Sequence, residues 1–180
     1  MGKKQVTRYV SFPVFTQEEV KEINKKIISL SIKDPEDPQI FVDKVGKFSR
    51  IPCRELVGLI HPWLDQCQQA NREVFKYDVF WNFDIDWVNY NVYGQGGLYD
   101  WHIDAAQEGA PIDVKLTCLL NLSEESYDGG EFGLIHYKEP IEFTSGMGIL
   151  FTSLIAHKVT PITTGERRTL TYWANGPEWI

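Results

Sequence analysis

Cysteine is scarce in this chain: Cys53, Cys67 and Cys118 are the only three, and they form no C-x-x-C pair. That spacing argues against a disulfide framework and a zinc knuckle, and it predicts reduced thiols in a cytoplasmic protein. No run of about 18 apolar residues occurs, so no membrane-spanning helix is expected. The N-terminus MGKKQVTRYV is basic but lacks the apolar stretch of a signal peptide. Val6 stands where a myristoylation signal needs Ser or Thr. Positive charge is also short, with Lys+Arg 18 against Asp+Glu 25 and a net charge of −7. This balance disfavours non-specific binding to nucleic acid or to a membrane surface. Internal repeats and low-complexity segments are absent from the sequence.

What is present is an ordinary globular composition, 43% hydrophobic and 24% charged, enriched in aromatics at 13% with six Trp. The length of 180 residues favours one domain spanning 1–180, with enough chain for a real core. FTQEEVKEINKKIISL reads as a helix: Thr16 and Glu19 have capping-box spacing, and Val20, Ile23, Ile27 and Ile28 recur at helical period. KDPEDPQ, residues 33–39, reads as a loop. CRELVGLIHPWLDQCQQANREVF reads as helical with a break at Pro62. From about residue 79 the pattern changes to aromatic and β-branched, beginning with VFWNFDIDWVNYNVY. KLTCLLNLS, EFGLIHY, MGILFTS, AHKVTPI and RRTLTYWA follow, separated by turn residues at YDGG, TSGMG and TTGE. The expected architecture is mainly β, an antiparallel barrel or sandwich over about 79–176, preceded by a helical part over about 1–78 that packs against one face.

LYDWHIDAAQ, residues 98–107, sets His102 and Asp104 two positions apart. In a strand such residues share a face, so an imidazole and a carboxylate can grip one small cation. Alone, H-x-D is a weak motif and is equally a plain polar face. Of the four histidines, His61 and His136 read as ordinary structural residues, in a helix and a strand respectively. His157 follows the strand MGILFTSLIA and can supply a third ligand. Two histidines and a carboxylate form the facial set of non-haem Fe(II) oxygenases, which leaves open positions for a co-substrate and O2. A 2-oxo diacid would need a cation for its distal carboxylate, and arginine's planar fork suits that task. Arg167 and Arg168 both lie about ten residues beyond His157. Thr169, Thr171 and Trp173 share parity with Arg167, and parity alone does not choose between the two arginines.

The segments YGQGGLYDWHIDA, KLTCLLNLSEESYDGGEF and GILFTSLIAHKVTPITTGERRTLTYW resemble the prolyl 4-hydroxylase branch of the Fe(II)/2-oxoglutarate dioxygenases. LNLSEESYDGGEF and HKVTPITTGERR are most similar to its bacterial and phage hydroxylases. The resemblance covers about residues 90–173 and implies a double-stranded β-helix core of the jelly-roll or cupin kind. It implies that His102, Asp104 and His157 hold iron, and that Arg167, not Arg168, binds the distal carboxylate of 2-oxoglutarate. Tyr93, Tyr99 and Trp173 correspond to aromatics near the co-substrate pocket. Asn121 stands where many prolyl hydroxylases carry a Tyr, so its carboxamide is the expected substitute at that end of the pocket.

The activity so implied is hydroxylation of an unactivated C–H bond with release of succinate and CO2. Its cofactors and co-substrates are Fe(II), 2-oxoglutarate and O2, with ascorbate as a further candidate. A prolyl residue of a peptide or protein is the first substrate choice, and a free amino acid or other small molecule is the second. A nucleic-acid base is disfavoured by the acidic charge. A reading from another class, a jelly-roll module that binds metal without turnover, is separated from these by succinate release. Residues 33–50 and 94–112 are expected to carry substrate recognition, as loops at a barrel mouth commonly do.

Overall fold

The computed structural model describes residues 9–30, 39–40, 43–105 and 112–179. The loop expected at 33–39 lies outside the described residues except for Gln39, as do the basic N-terminal residues 1–8 and positions 106–111. In chain order the strands are β1 (Tyr9–Pro13), β2 (Gln39–Ile40), β3 (Lys44–Pro52), β4 (Trp87–Tyr93), β5 (Leu98–His102) and β6 (Ile112–Asn121). They continue with β7 (Asp128–Gly129), β8 (Phe132–Leu134), β9 (Met147–Thr152), β10 (His157–Val159), β11 (Ile162–Thr164) and β12 (Arg167–Pro177). The helices are α1 (Gln17–Ser29) and α2 (Val57–Ala70).

Thr16 starts α1 as expected. Its backbone N–H donates to Glu19 Oε2 at 2.8 Å, and the Glu19 N–H donates back to Thr16 Oγ1 at 3.3 Å, which satisfies two donors that a bare helix end would leave unpaired. Val20, Ile23 and Ile27 are buried beneath this helix, together with Asn24. The Asn24 amide donates to the Leu122 carbonyl and to Glu124 Oε1, both at 2.8 Å, tying α1 to the end of β6.

The helix through Pro62 does not break. Pro62 lacks the N–H that would reach the Gly58 carbonyl four residues back, and the His61 ring lies on that carbonyl with Nδ1 at 3.2 Å. One lost bond is replaced locally, and α2 runs on through a single π turn, Asn71–Phe75. The strand expected from residue 79 begins only at Trp87. Ahead of it Asn82 turns the chain, its carbonyl accepting from the Ile85 and Asp86 N–H groups at 3.0 and 2.9 Å. The first 78 residues are not purely helical either, because β1, β2 and β3 lie among them. His136 sits in a turn after β8 and is exposed.

The strands form one curled ten-stranded sheet in the order β1-β9-β6-β12-β4-β3-β5-β10-β8, with β2 beside β3, and a separate β11-β7 pair. Every one of these pairings is antiparallel. This is the double-stranded β-helix, with two helices on one side. The fold-over occurs within β3: Lys47–Pro52 pair with β4, whereas Lys44 and Val45 pair with β5. Gly46 sits at the switch, where an added Cβ would stand 2.7 Å from the Phe48 ring and 3.1 Å from the Val92 carbonyl oxygen.

Strand alternation then sorts the side chains. Val88, Tyr90 and Val92 of β4, Leu116, Cys118 and Leu120 of β6, and Leu170, Tyr172 and Ala174 of β12 join the helices in one core. A second core, including Leu119, Phe132, Ile149, Phe151 and Val159, lies inside the curl. The intervening residues of β4, β6 and β12 therefore face a space between two sheet halves. All three cysteines are free and buried. Burial pushes the Cys53 thiol up to about 11, which makes it a poor nucleophile. None of the described helices is long and apolar enough to cross a membrane.

Candidate metal and co-substrate site

β5 and β10 run antiparallel with His102 directly opposite His157. Both rings thus enter the curl side by side, their centroids 4.0 Å apart. Asp104 lies just beyond the end of β5, and its N–H donates to the Ser153 carbonyl at 3.1 Å. The two-residue spacing is held by that backbone bond, not by a continuing strand. The ligand atoms of His102, Asp104 and His157 all lie within 4.8 Å of one another.

The protons of this cluster can be assigned. His102 Nδ1 is 2.7 Å from the Asp100 carbonyl and His157 Nδ1 is 3.0 Å from the Ile155 carbonyl. A carbonyl only accepts, so each Nδ1 carries the proton and each Nε2 keeps its lone pair. Burial lowers both histidines below the ordinary range, His102 to about 4 with His157 contributing, so both rings are neutral near pH 7. His102 Nε2 faces Asp104 Oδ1 at 3.6 Å and His157 Nε2 faces Asp104 Oδ2 at 3.5 Å. With no proton between them these pairs set electron-rich atoms against each other, and a cation at the centre removes the conflict. These two separations suit it, since two ligands about 2.1 Å from one ion lie at most about 4.2 Å apart.

Asp104 is oriented by two donors. Thr117 Oγ1 donates to its Oδ2 at 2.7 Å and Trp173 Nε1 donates to the same oxygen at 3.1 Å. Oδ1 is left as the freer oxygen for an ion. Tyr99 lies flat on His102 with ring centroids 3.4 Å apart and planes 9° from parallel. Such second contacts fix ligand orientation in metal sites generally.

A cavity open to solvent lies beside this cluster. Arg167, the first residue of β12, lies opposite Tyr93 of β4 and lines its wall. It is only 2% exposed. Its guanidinium sits over Tyr93 and Phe143, 5.5 and 5.4 Å from the ring centroids. Among the described residues no carboxylate comes within ion-pair distance of it, and its Nε has no hydrogen-bond partner. A buried cation without an anion is costly unless a ligand supplies one. Gly130 makes the room: a Cβ there would stand 3.1 Å from Arg167 Cδ. Arg168 faces the other way, paired with Glu166 at 2.6 Å and near Glu124 at 4.0 Å.

Of the residues expected at the site, His102, Asp104, His157, Arg167, Tyr93, Tyr99 and Trp173 all line this one cavity. Asn121 does not. Its amide donates to the Phe143 carbonyl at 2.6 Å and the Tyr127 hydroxyl at 3.3 Å, and its Oδ1 accepts from the Ser123 N–H at 2.9 Å. Its polar atoms are committed to the loop after β6. The cavity also contains residues the sequence reading did not select: Lys44, Asn91, Thr117, Thr169 and Thr171. Thr169 and Thr171 could have been found from their parity with Arg167. Asn91 Nδ2 donates to the Thr171 hydroxyl at 3.0 Å, and Asn91 Oδ1 is buried without a partner. Lys44 lies within the 33–50 segment expected to carry substrate recognition, but no motif singles it out there.

The model of the 2OG-Fe(II) oxygenase superfamily matches residues 88–175 of the chain. A PKHD-type hydroxylase of Pseudomonas putida is 35% identical over 91 residues, which is 46% of this chain and 40% of that relative. The matched segment thus spans about two fifths of the curated relative's length. Among solved structures, the viral collagen prolyl hydroxylase of Paramecium bursaria Chlorella virus-1 superposes with a TM-score of 0.73 at 15% identity, covering 97% of this chain and 99% of that one. A prolyl hydroxylase from Trichoplax adhaerens, solved with a peptide fragment of hypoxia inducible factor, superposes with a TM-score of 0.66 at 17% identity over 92% of this chain and 82% of that one. At these identities the two structures establish a shared fold.

Proposed function

We propose that this chain, a member of the 2OG-Fe(II) oxygenase superfamily through residues 88–175, hydroxylates a prolyl residue of a peptide or protein. The observation that carries the oxygenase reading is the pairing within one cavity of an open-sided His-Asp-His cluster with a buried arginine that no carboxylate among the described residues neutralises. A metal-binding module would need only the cluster. The arginine calls for a carboxylate, and 2-oxoglutarate has one to spare after chelating the ion.

In this reading His102, Asp104 and His157 would hold Fe(II), through His102 Nε2, His157 Nε2 and the Asp104 carboxylate. When bound, iron and 2-oxoglutarate together supply O2 activation coupled to decarboxylation, yielding succinate, CO2 and a hydroxylated C–H carbon. The residues of the chain provide position and dryness. Thr117 and Trp173 hold Asp104 so that one oxygen stays free. Arg167 fixes the distal carboxylate and so sets the depth to which the co-substrate enters. Tyr93 and Phe143 flank that carboxylate site and keep water from competing for the guanidinium. No side chain need act as acid or base.

The prolyl assignment is supported by the names of the relatives: a PKHD-type hydroxylase in sequence, and prolyl hydroxylases in fold. The test is incubation with Fe(II), 2-oxoglutarate, O2 and a proline-containing peptide library. The expected result is peptide-dependent succinate formation and a mass gain of about 16 Da, one oxygen atom, on proline. Succinate release stimulated only by free amino acids would replace the peptide reading. Iron binding with no succinate under any condition would remove the enzymatic one.

A further inference from the structure

The cavity wall holds a second cation that the proposed chemistry does not use. Lys44, the first residue of β3, lies opposite Tyr99 of β5. Its Nζ sits 3.7 Å from the Phe48 ring centroid and 4.6 Å from that of Tyr99. The Phe48 and Tyr93 rings meet edge-on at 5.7 Å, and Arg167 lies over Tyr93 at 5.5 Å. One pair of rings thus separates the two cations. Arg167 is sealed at 2% exposed, while Lys44 is half-buried and closer to solvent.

We infer that Lys44 is a specificity-determining residue, which binds a carboxylate that the substrate carries close to the carbon to be hydroxylated. The inference rests on the oxygenase reading of the same cavity. Counting formal charges shows why a further anion is needed. The Asp104 carboxylate and the two carboxylates of 2-oxoglutarate offset Fe(II) and Arg167. Lys44 is the charge left over. Burial lowers the Lys44 ammonium to about 8, so it stays mostly charged near pH 7, and Asp104 and Asp43 partly offset that lowering electrostatically. Neither comes within 4.0 Å, and the described residues offer it no other carboxylate at that distance. Asp104 is committed to Thr117, Trp173 and the ion, and Asp43 is exposed to solvent.

The two rings hold the ammonium in place without neutralising it, because ring faces attract cations but carry no net charge. A cation held in this way is prepared for a charged partner. A charge-assisted bond in a partly dry cavity is about twice as strong as one to a neutral carbonyl. Lys44 therefore favours Asp, Glu or a terminal carboxylate beside the target residue over the amide of the same shape.

The experiment uses two matched peptide sets. In one, proline is flanked on either side by Asp or Glu; in the other, by Asn or Gln. Binding is measured anaerobically to the full chain loaded with Mn(II) and 2-oxoglutarate, and turnover is measured with Fe(II) and O2. Wild type is expected to prefer the acidic set by about tenfold or more, the equivalent of one charge-assisted contact. Lys44→Met should abolish that preference and Lys44→Glu should reverse it toward the Asn/Gln set. Lys47→Met, on the same strand outside this cavity, should retain it. The Fe(II)·2-oxoglutarate absorption band should persist in Lys44→Met and report an intact site. The inference is overturned if Lys44→Met keeps the acidic preference, if wild type shows none, or if the variant's defect is weakened 2-oxoglutarate binding. Hydroxylation without charge preference would remove the Lys44 assignment and leave the prolyl one. Acid-selective, Lys44-dependent binding by peptides that lack proline would do the opposite.

Discussion

Replacing Arg167 by Met should uncouple stability from ligand binding. In the ligand-free protein the guanidinium is 2% exposed, its Nε is unbonded, and no described carboxylate neutralises it. An unsatisfied buried donor costs about 1–3 kcal/mol, against which two ring contacts return about 0.5–2 kcal/mol each. Met has similar reach, keeps contact with Tyr93 and Phe143, and removes the unpaired charge. Arg167→Met should therefore match wild type without ligand or exceed it by up to about 2 kcal/mol, which is about 4–8 °C in Tm for a chain of this size. Ligand then reverses the order. Loss of a desolvated charged pair weakens binding by about 2–5 kcal/mol, or roughly 30-fold to several thousand-fold. At 2-oxoglutarate one hundred times the wild-type Kd, wild type gains about 2.7 kcal/mol, while a 30-fold weaker variant gains less than about 1 kcal/mol. Thermal unfolding with Mn(II), with and without 2-oxoglutarate, reads both quantities in one experiment. A variant that is less stable than wild type without ligand, yet stabilised equally by 2-oxoglutarate, would show Arg167 to be a structural residue.

Other substitutions follow from the same geometry. Arg168→Ala should change 2-oxoglutarate affinity by less than about threefold, because its pairing with Glu166 is a solvent-accessible one; a loss as large as that of Arg167→Met would reverse their assignment. His157→Ala should lose the visible band of the anaerobic Fe(II)·2-oxoglutarate complex, and a surviving band would remove His157 from the ligand set. Asp104→Glu should keep its charge but lose most iron and succinate output, since one methylene displaces the oxygen by over about 1 Å where ligand distances tolerate about 0.2 Å, and it also moves it off Thr117 and Trp173. The metal-free protein should lose stability as pH falls from 6.5 toward about 4: His102 titrates near 4 when folded and near 6.5 when unfolded, so the unfolded chain binds more protons across that window. Urea midpoints over this range should flatten in His102→Gln, and a flat wild-type profile would contradict the neutral assignment.

Local signals in the sequence located α1, because its capping box and 3.6-residue period act within a few residues of each other. They also located β6, β9 and β12. They failed where a side-chain contact, a turn or a strand pairing that periodicity does not encode decided the outcome. Pro62 reads as a break, but the neighbouring His61 ring takes over the freed Gly58 carbonyl. VFWNFDIDW reads as strand, yet the first part of it turns at Asn82 and sends Trp81 to stack on Tyr172, centroids 5.9 Å apart. β3 has lysines and a glycine through its length, and only its pairing with both β4 and β5 makes it the hinge of the curl.

The site was legible for a related reason. Strands covered on both faces normally read as continuous apolar runs, because neither side meets water. β4, β6 and β12 keep that rule on the face toward the helices and break it on the other, where Asn91, Thr117, Arg167, Thr169 and Thr171 are buried together. Packing alone gives no reason to bury so many polar groups, so their shared face marks a cavity meant for a polar guest. H-x-D and the downstream His and Arg identified the charged members, which have fixed spacing. The neutral donors could not be selected in advance, since a strand threonine reads the same whether it faces solvent or a carboxylate. Lys44 could not be found either: its partners Phe48 and Tyr99 come from two strands, and the contact exists only after β3 crosses from one half of the sheet to the other. The residues proposed to hold the ion and the co-substrate are thus recorded as motif. A residue that selects the substrate is recorded only in the topology, and Lys44, at the fold-over of β3, is where such a residue would stand.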